Sequence, residues 1–288
     1  MTAAEQPTPR RILIAGCGKI GTRLGLQLTA DGHTVFGLRR RPEALPAAIT
    51  PCAADLSHDT DLAHRLPAAL DRVYVILTPP QYDDDGYRRT YVDGMTNLCH
   101  ALAASGNRNA RLVFVSSTGV YGENAGAWVD ETTPAQPTRF SGARLLEAEA
   151  VAASHPGGHV IIRFAGIYGP GRDALLRRIE AGTTCQADPP RYTNRIHEDD
   201  CVGVLDYIGG MESPSALYIG VDDRPCSQCE IMDWLAAATG VSPPDRTTGD
   251  AGGRRCSNRR LKASGYRLRY PDYRSGYPSL LAERRSRV

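Results

Sequence analysis

Three glycines near the start of the chain have the spacing of a loop that binds phosphate groups. Gly16, Gly18 and Gly21 form the pattern Gly-x-Gly-x-x-Gly between a short apolar run and a helical pattern. In this context the first glycine permits a tight turn, the second lets the backbone approach a pyrophosphate, and the third lets a helix pack against a strand. The first N–H groups of that helix then face the phosphates. We predict that Gly16, Gly18, Lys19, Ile20 and Gly21 bind a dinucleotide, the alternative being a glycine turn without a ligand.

Basic residues follow the second predicted strand, and they bear on which dinucleotide is bound. Leu38 is followed by Arg39, Arg40 and Arg41, whereas a site for NAD usually has an acid about 20 residues after the glycines, bonded to the ribose 2′-hydroxyl. An acid would repel a 2′-phosphate, while a guanidinium binds one through paired hydrogen bonds. We predict NADP as the cofactor and NAD as the second choice, the alternative being a solvated basic turn. We expect Asp55, after the third strand, to lie beside the adenine.

Apolar runs that alternate with helical patterns must position these residues. Predicted strands cover residues 11–15, 34–38, 53–54, 73–77, 112–115 and 160–164. Predicted helices cover residues 86–104 and 141–154, and later 172–181, 198–209 and 227–239. Strands that alternate with helices pair in parallel through right-handed crossovers. The predicted fold class is α/β, a Rossmann doubly wound parallel sheet with a smaller C-terminal substrate lobe.

The pattern changes after residue 165, where proline and glycine become denser. We predict a disordered arm at 1–10, an NAD(P)-binding Rossmann domain at 11–165 and a smaller α+β substrate lobe at 166–288. Open α/β sheets bind ligands at the carboxyl ends of their strands. We therefore expect the lobe to pack there and to bind a small-molecule substrate.

Composition excludes several other classes of protein. Of 288 residues 41% are hydrophobic, and 34 basic residues face 32 acidic ones. This balance argues against nucleic-acid and membrane-surface partners, and no apolar run reaches the roughly 18 residues of a membrane helix. The first ten residues lack the apolar core of a secretory signal, so we expect a cytoplasmic protein. Its eight cysteines, including the Cys226-x-x-Cys229 pair, are then expected to be reduced, and no metal site is predicted.

A series of motifs in chain order resembles the extended branch of the short-chain dehydrogenase/reductase superfamily, the NAD-dependent epimerase/dehydratases. The motifs are the glycine loop, Asp55-Leu56, and residues 94–98, 116–122, 163–171 and 195–200. Residues 131–134, 141–142 and 270–276 more specifically resemble the atypical YeeZ-like subgroup. Beyond the residues named above, the resemblance implies a wider cofactor-binding set of Leu56, Leu77, Thr78, Ser116, Arg144, Ala165 and Ile167.

The resemblance also implies catalytic positions, and here the chain departs from the family. Ser117 occupies the position of the family's catalytic serine, but the Tyr-x-x-x-Lys pair is absent, because Phe140 and Arg144 stand in its place. Phenylalanine has no proton to transfer, and arginine keeps its charge. Tyr121 is our first candidate for the replacement acid, the alternative being a wall of the substrate site. His197 has a suitable pKa for acid–base work, but the family uses this turn to cap a helix.

These observations predict a function with alternatives. We predict an NADP-dependent oxidoreductase acting on a small carbonyl, hydroxyl or nucleotide-linked substrate. The alternatives are a non-catalytic NADP(H)-binding redox sensor and a nucleotide-sugar epimerase or dehydratase. The basic cluster 254–260 holds substrate phosphates in one interpretation and is solvated surface in the other. Relatives pair through two long helices, here 86–104 and 141–154, so we expect a homodimer.

Overall fold

The computed structural model describes the secondary structure of residues 8–58, 60–122, 125–250 and 252–285. In chain order the strands are β1 (Arg11–Ala15), β2 (Thr34–Arg39), β3 (Thr50–Ala53), β4 (Arg72–Val75), β5 (Arg111–Ser117), β6 (Trp128–Val129), β7 (His159–Phe164), β8 (Gly166–Tyr168), β9 (Cys185–Asp188), β10 (Tyr192–Thr193), β11 (Arg195–His197), β12 (Leu217–Gly220), β13 (Cys226–Ser227), β14 (Arg246–Thr248) and β15 (Arg255–Cys256). The α-helices are α1 (Lys19–Ala30), α2 (Leu62–Arg65), α3 (Asp84–Tyr87), α4 (Gly94–Ala104), α5 (Phe140–Ala153), α6 (Ala174–Glu180), α7 (Glu198–Gly210), α8 (Gln228–Thr239), α9 (Arg259–Ala263) and α10 (Tyr273–Arg285). Short 3-10 turns cover Pro42–Ala44 and Thr118–Val120, and a π-helical segment covers Arg88–Asp93.

Seven strands form a central parallel sheet in the order β12-β7-β5-β4-β1-β2-β3. In this sheet β1 pairs with β2 on one side, where Ile14 faces Gly37, and with β4 on the other, where Ile14 faces Tyr74. Ile12, Leu13 and Ile14 are completely buried, as in parallel sheets that helices cover on both faces. The predicted Rossmann α/β fold class is confirmed.

Each of the six predicted strands corresponds to a strand of this sheet, whereas β12 is not predicted. Its residues Tyr218 and Ile219 are buried, but they follow the change of pattern after residue 165 and were therefore expected in the lobe. The sheet gains a strand so late in the chain because α7 comes directly before β12 and supplies one more helix–strand unit. Strand patterns alone do not reveal that the chain returns to the sheet.

The predicted helix at 86–104 begins two residues earlier and contains an irregular segment. Helix α3, the π-helical segment and α4 follow one another without a break from Asp84 to Ala104. Asp83 caps the start, since its Oδ1 accepts a hydrogen bond from the Gly86 N–H at 2.7 Å. Asp84 and Asp85 occupy the first turn, where the helix dipole favours negative charge. In the part of the chain that the structure describes, no helix combines the length and apolar composition needed to span a bilayer.

The chain divides into two compact units, each assembled from several segments. Unit 1 comprises residues 1–120, 139–162 and 202–217, and unit 2 comprises residues 121–138, 163–201 and 218–288. The division differs from the expected boundary at 165 in three places, because residues 121–138 and 163–165 fall in unit 2 and residues 202–217 in unit 1. Of the arm expected at 1–10, residues 1–7 lie outside the described residues, and residues 8–10 carry no helix or strand.

Unit 2 contains a disulfide bond between Cys185 and Cys229, which corrects the expectation that every cysteine is reduced. Cys185 lies in β9 and Cys229 in the first turn of α8, and both belong to one buried apolar cluster. Their Cα atoms are 5.4 Å apart although 44 residues separate them in sequence, and this distance lies in the range of bonded cysteines. The Cys-x-x-Cys spacing does not reveal this bond, because Cys229 pairs with the distant Cys185 and not with Cys226, which keeps a free thiol.

Candidate cofactor site

The first glycine of the loop makes a turn that other residues cannot make without strain. Gly16 follows β1 with a φ of +84°, and a Cβ placed on it would lie 2.3 Å from the Ile76 carbonyl oxygen. Its N–H donates to the Leu38 carbonyl at 3.0 Å, which ties the turn to the end of β2. Only glycine satisfies both the conformation and the close approach.

The other two glycines differ in what surrounds them. Gly18 is the N-cap of α1, and in the described structure no side chain caps this helix end. A Cβ on Gly18 would have only the Gly16 carbonyl oxygen within 4 Å, at 3.9 Å, so the space beside it is open to a ligand. Gly21 instead packs against the sheet, since its Cβ would lie 3.0 Å from Ile14 Cγ2. The open, uncapped helix N-terminus fits a pyrophosphate.

The glycine loop opens onto a cavity of about 600 Å³ in unit 1, which we call the glycine-loop cleft. This volume is within the range of small-molecule sites. The cleft is lined by Gly16, Gly18, Leu38, Arg39, Arg40, Arg41, Ala54, Asp55, Leu56, Ser57, His58, Ile76, Leu77, Thr78, Pro80, Gln81, Gly86, Arg89 and Thr90. Eight of the predicted cofactor-binding residues are therefore brought together here, namely Gly16, Gly18, Arg39, Arg40, Asp55, Leu56, Leu77 and Thr78.

One edge of the cleft is basic, as the sequence predicts. The half-buried Arg39 places Nη1 3.4 Å from the Cys17 carbonyl oxygen, so its guanidinium lies over the glycine loop. Arg40 and Arg41 are exposed, and His58 lines the same cleft. A ligand with a phosphate at this edge would meet guanidinium donors.

Asp55 is the carboxylate of the cleft, and its contacts keep it ionised. Oδ1 accepts hydrogen bonds from the Ser57 N–H at 3.0 Å and the Ser57 hydroxyl at 2.7 Å. Partial burial works against ionisation, but these bonds and the charge of Arg40 outweigh it and hold the pKa of Asp55 below its ordinary value. Asp55 is therefore a fixed hydrogen-bond acceptor, as contact with an adenine amino group requires.

Several predicted residues of unit 1 do not line the cleft. Lys19, Ile20 and Gly21 form the first turn of α1, where Ile20 is buried. Ser116 and Ser117 end β5. The Ser116 hydroxyl donates to Glu149 Oε1 of α5 at 2.5 Å, and both side chains are buried. Ser117 Oγ accepts the N–H of Gly119 at 3.0 Å.

Phe140 and Arg144, which replace the family's Tyr-x-x-x-Lys pair, contact the segment that follows β4. The Phe140 ring makes edge-on contacts with Tyr82 and Tyr87. Arg144 donates from Nε and Nη2 to the two carboxylate oxygens of Asp84, both at 2.8 Å, and also pairs with Glu147. The hydrogen bonds that Arg144 donates to Asp84 and Glu147 raise its pKa. Its guanidinium is thus engaged by carboxylates rather than directed at the cleft.

Tyr121, Ala165 and Ile167 belong to unit 2 and have structural contacts there. Tyr121 is only 2% exposed, and its hydroxyl donates to the Asp130 carbonyl at 2.9 Å. Burial raises the pKa of Tyr121, against the opposing charge of Arg163. The Ala165 N–H donates to the Gly220 carbonyl at 3.2 Å, and Ile167 lies in β8, paired with β11.

His197, the other acid–base candidate, and its neighbour Asp200 hold a helix start and a loop in unit 2. His197 is buried, and its Nδ1 accepts the Asp199 N–H at 3.1 Å. Asp200 accepts hydrogen bonds from the Arg269 and Tyr270 N–H groups and from the Tyr266 hydroxyl. These contacts match the capping interpretation. Across the residues that the structure describes, no group of three metal-ligating side chains occurs.

The basic cluster of unit 2 packs against aromatic rings and backbone. The guanidinium of Arg255 lies 5.3 Å from the ring centre of Trp128 and 4.7 Å from that of Tyr192. Arg254 donates to the Gly122 carbonyl at 3.2 Å. Cation–π contacts of this kind stabilise the surface of the unit.

Sequence reasoning missed part of the cleft lining. Pro80 and Gln81 come from the loop after β4, and Arg89 and Thr90 from the π-helical segment. The position after a parallel strand is a signal for the loop residues. Nothing in the spacing of Arg89 and Thr90 distinguishes them from other residues of a long helix.

Comparison with known proteins identifies the family. Residues 12–199 match the NAD dependent epimerase/dehydratase family. The chain is 29% identical over 277 residues to Protein YeeZ of Escherichia coli K12, covering 91% of this chain and 97% of that protein. It is 30% identical over 236 residues to the dTDP-6-deoxy-L-talose 4-dehydrogenase (NAD(P)(+)) of Kitasatospora kifunensis, covering 78% and 73% of the two chains.

A solved structure extends the comparison to the fold. A protein of Methylobacillus flagellatus, provisionally assigned as an NAD-dependent epimerase/dehydratase, superposes with a TM-score of 0.81 and 38% identity, over 96% of this chain and 100% of that chain. The resemblance read from the motifs, including that to YeeZ, is confirmed. Because the family match covers well over half of its residues, the chain belongs to the NAD dependent epimerase/dehydratase family.

Proposed function

We propose that this protein is an NADP-dependent oxidoreductase that acts on a small carbonyl or hydroxyl compound, free or linked to a nucleotide. The observation that supports the cofactor is the glycine-loop cleft, which has an open, uncapped helix N-terminus and an arginine edge. Family membership supports a nicotinamide cofactor, and the K. kifunensis dehydrogenase is named for use of both NAD and NADP. The preference for NADP is argued from Arg39 and Arg40.

The residues present fit such a cofactor. The backbone of Gly18 and the start of α1 would hold the pyrophosphate, Asp55 and Leu56 the adenine, and Arg39 and Arg40 a 2′-phosphate. Leu77, Thr78 and Ser117 would then lie toward the nicotinamide. When bound, the cofactor supplies hydride transfer. The protein's part is to position both reactants and to provide a proton.

The test is calorimetric titration of the protein with NADP⁺, NADPH, NAD⁺ and NADH. We expect NADP(H) to bind at least about tenfold more tightly than NAD(H), because charge-assisted hydrogen bonds to a phosphate contribute about 1.5–3 kcal/mol each. The variant Arg39→Ala/Arg40→Ala should lose this preference and keep its affinity for NAD(H). Arg108→Ala is the matched control, since Arg108 is an exposed arginine outside the cleft lining. Equal wild-type affinities contradict the NADP preference, and no binding of any dinucleotide contradicts the proposed function.

A non-catalytic NADP(H) sensor is the second candidate, and a specific observation favours it. Phe140 has no proton to transfer, and Arg144 is engaged by Asp84. A sensor must bind NADP⁺ and NADPH with different affinities, because a ligand without preference shifts no equilibrium. Unequal affinities without oxidation of NADPH across a broad carbonyl panel support the sensor. Turnover of any carbonyl supports the oxidoreductase.

The remaining expectations also stand as proposals. We propose a homodimer that pairs through the helical segments 86–104 and 141–154, which size-exclusion chromatography with light scattering tests directly. We also propose a cytoplasmic location. The disulfide bond between Cys185 and Cys229 is an observation against this location, because cytosolic thiol systems usually keep cysteines reduced.

A further inference from the structure

Four aromatic rings of unit 1 form a cluster around the residue that replaces the family's tyrosine. The rings are those of Tyr82, Tyr87, Tyr91 and Phe140, and we call them the aromatic cluster. The centre of the Phe140 ring lies 5.5 Å from that of Tyr82 and 5.5 Å from that of Tyr87. Tyr82 and Tyr87 contact each other at 5.3 Å. Two phenols from the segment after β4 therefore touch the one ring that lacks a hydroxyl.

The hydroxyls of this cluster differ in their access to solvent. Tyr91 is 8% exposed, and its hydroxyl donates to the Leu77 carbonyl at 3.2 Å. Tyr87 is half-buried, and burial raises its pKa. Tyr82 is 68% exposed, with its hydroxyl 3.5 Å from Ser141 Oγ. Tyr82 is thus the phenol of the cluster that an incoming molecule reaches most easily.

The position of Tyr82 relates it to the glycine-loop cleft. Pro80 and Gln81, directly before it, and Gly86, shortly after it, line the cleft. Helix α5, which begins at Phe140, packs against α3 and against the 118–120 turn that follows Ser117. Helix α5 therefore contacts both the segment that carries the exposed phenol and the turn that follows the predicted catalytic serine.

Two carboxylates fix the segment that carries Tyr82. Asp83 caps α3 through the Gly86 N–H at 2.7 Å. Asp84 forms a two-point pair with Arg144 of α5, at 2.8 Å for each hydrogen bond. A bidentate pair of this kind restricts orientation as well as distance. Arg144 thus holds the segment against α5, at the place where the family has a lysine.

We propose that Tyr82 supplies the proton in the reaction of this protein, with Arg144 as a positioning residue that acts through Asp84. This inference rests on the proposed function. In carbonyl reduction, the carbonyl carbon accepts a hydride, with its electron pair, from the reduced nicotinamide. The carbonyl oxygen takes the proton of the Tyr82 hydroxyl, and the C=O π pair becomes the new O–H bond. Water then returns a proton to the phenolate.

The experiment measures the pKa of Tyr82 directly and requires no substrate. Protein labelled with ¹³C at the tyrosine Cζ is titrated by NMR in the presence of saturating NADP⁺ or NADPH, and the resonance missing from Tyr82→Phe identifies Tyr82. The oxidised nicotinamide ring carries a positive charge that the reduced ring lacks. An opposite charge within about 4–6 Å lowers a pKa by about 1–3 units, so the pKa of Tyr82 should be lower by this amount with NADP⁺.

Matched variants separate this role from simple packing. Tyr87→Phe removes a hydroxyl from the same cluster and should leave the Tyr82 shift intact. Arg144→Gln should shrink the difference between the two Tyr82 pKa values, and Arg144→Lys should partly restore it. A merely structural role of Arg144 would change thermal stability without changing this difference.

Each outcome decides the matter. A Tyr82 pKa that is the same with both cofactor forms overturns the inference. A cofactor-dependent shift found instead at Tyr87 or Tyr121 also overturns it and assigns the donor to that residue. If calorimetry detects no binding of NADP⁺ or NADPH, the proposed function fails first. Cofactor binding without a shift in the pKa of Tyr82 leaves the proposed function intact and rejects only the assignment of Tyr82 as the proton donor.

Discussion

At residue 16 the backbone conformation and the lack of space for a side chain both require glycine. Its φ of +84° favours glycine, and the Ile76 carbonyl oxygen occupies the space that a side chain would need. Gly32 has a φ of +87° but nothing within 4 Å of its Cβ position. Alanine substitutions at Gly16 and Gly32 therefore separate the free-energy cost of the backbone conformation from that of the steric clash.

We expect Gly16→Ala to be much more destabilising than Gly32→Ala. The left-handed conformation alone costs an alanine about 1 kcal/mol, which is the expected loss in the free energy of unfolding for Gly32→Ala. The backbone clash at Gly16 should raise the loss to about 3 kcal/mol or more. Urea denaturation of the two variants measures the difference. Equal losses would contradict the close contact with Ile76.

Asp222 is a buried carboxylate of unit 2 with an unusual environment. It is 1% exposed, and within the described structure its Oδ2 has no hydrogen-bond partner, while Oδ1 accepts the Arg224 N–H at 3.2 Å. Burial raises the pKa of Asp222 to about 7, although the charge of Arg195 opposes the shift. The unfolded chain loses this proton near pH 4, so folding binds a proton between about pH 4 and about pH 7.

We expect the free energy of unfolding to fall as pH rises through that window, because the folded state holds the extra proton. Asp222→Asn removes this contribution. Relative to the wild type, the variant should gain about 2 kcal/mol or more between pH 4.5 and pH 8, at about 1.4 kcal/mol per pKa unit. Urea denaturation across this pH range checks the prediction, with the exposed Asp250→Asn as control. Parallel curves for wild type and Asp222→Asn would contradict it.

At the residue scale, sequence reasoning found the parts of the site that have a fixed local spacing. Gly16 and Gly18 follow β1 and Asp55 follows β3, and all three line the cleft. Arg89 could not be found in this way, because a π-helical segment inside a long helix brings it to the cleft. Tyr82 was missed for a similar reason, since its relation to Phe140 depends on how α5 packs.

Secondary-structure elements were predicted well where one physical signal dominated. β1 and β2 are continuous apolar runs, and their starts agree with the prediction. The start of α3 at Asp84 lies two residues before the predicted start at residue 86, because Asp83 caps the helix. The disulfide was not predictable, because it depends on the packing of β9 against α8.

The disulfide leads to a prediction at the element scale, since it joins β9 to α8. Without reductant we expect six reactive thiols in denaturant, and eight after reduction. Cys229→Ser should lower the free energy of unfolding by about 2–4 kcal/mol, because the bond restricts the unfolded chain. Cys99→Ser, at a half-buried free thiol, is the control. Eight reactive thiols without reductant would show that the bond does not form in solution.

At the scale of the whole molecule, the two compact units do not follow the order of the motifs along the sequence. Unit 1 takes residues 202–217 from the second half of the sequence. Within it, Gln27 Nε2 donates to Asp206 Oδ2 at 2.7 Å, and Arg111 donates to the Met211 carbonyl at 2.7 Å. Gly209 lies so close to Tyr74 that a Cβ there would be 2.2 Å from the phenol oxygen.

A ribosome that has finished the first 165 codons has therefore not yet made everything that unit 1 requires. The surface of Tyr74 stays uncovered until a segment about forty residues further along has been synthesised. Cutting the gene at the apparent motif boundary would produce a fragment with a complete glycine signature and an incomplete core. Genetic dissection of this protein should instead keep residues 202–217 with the N-terminal half.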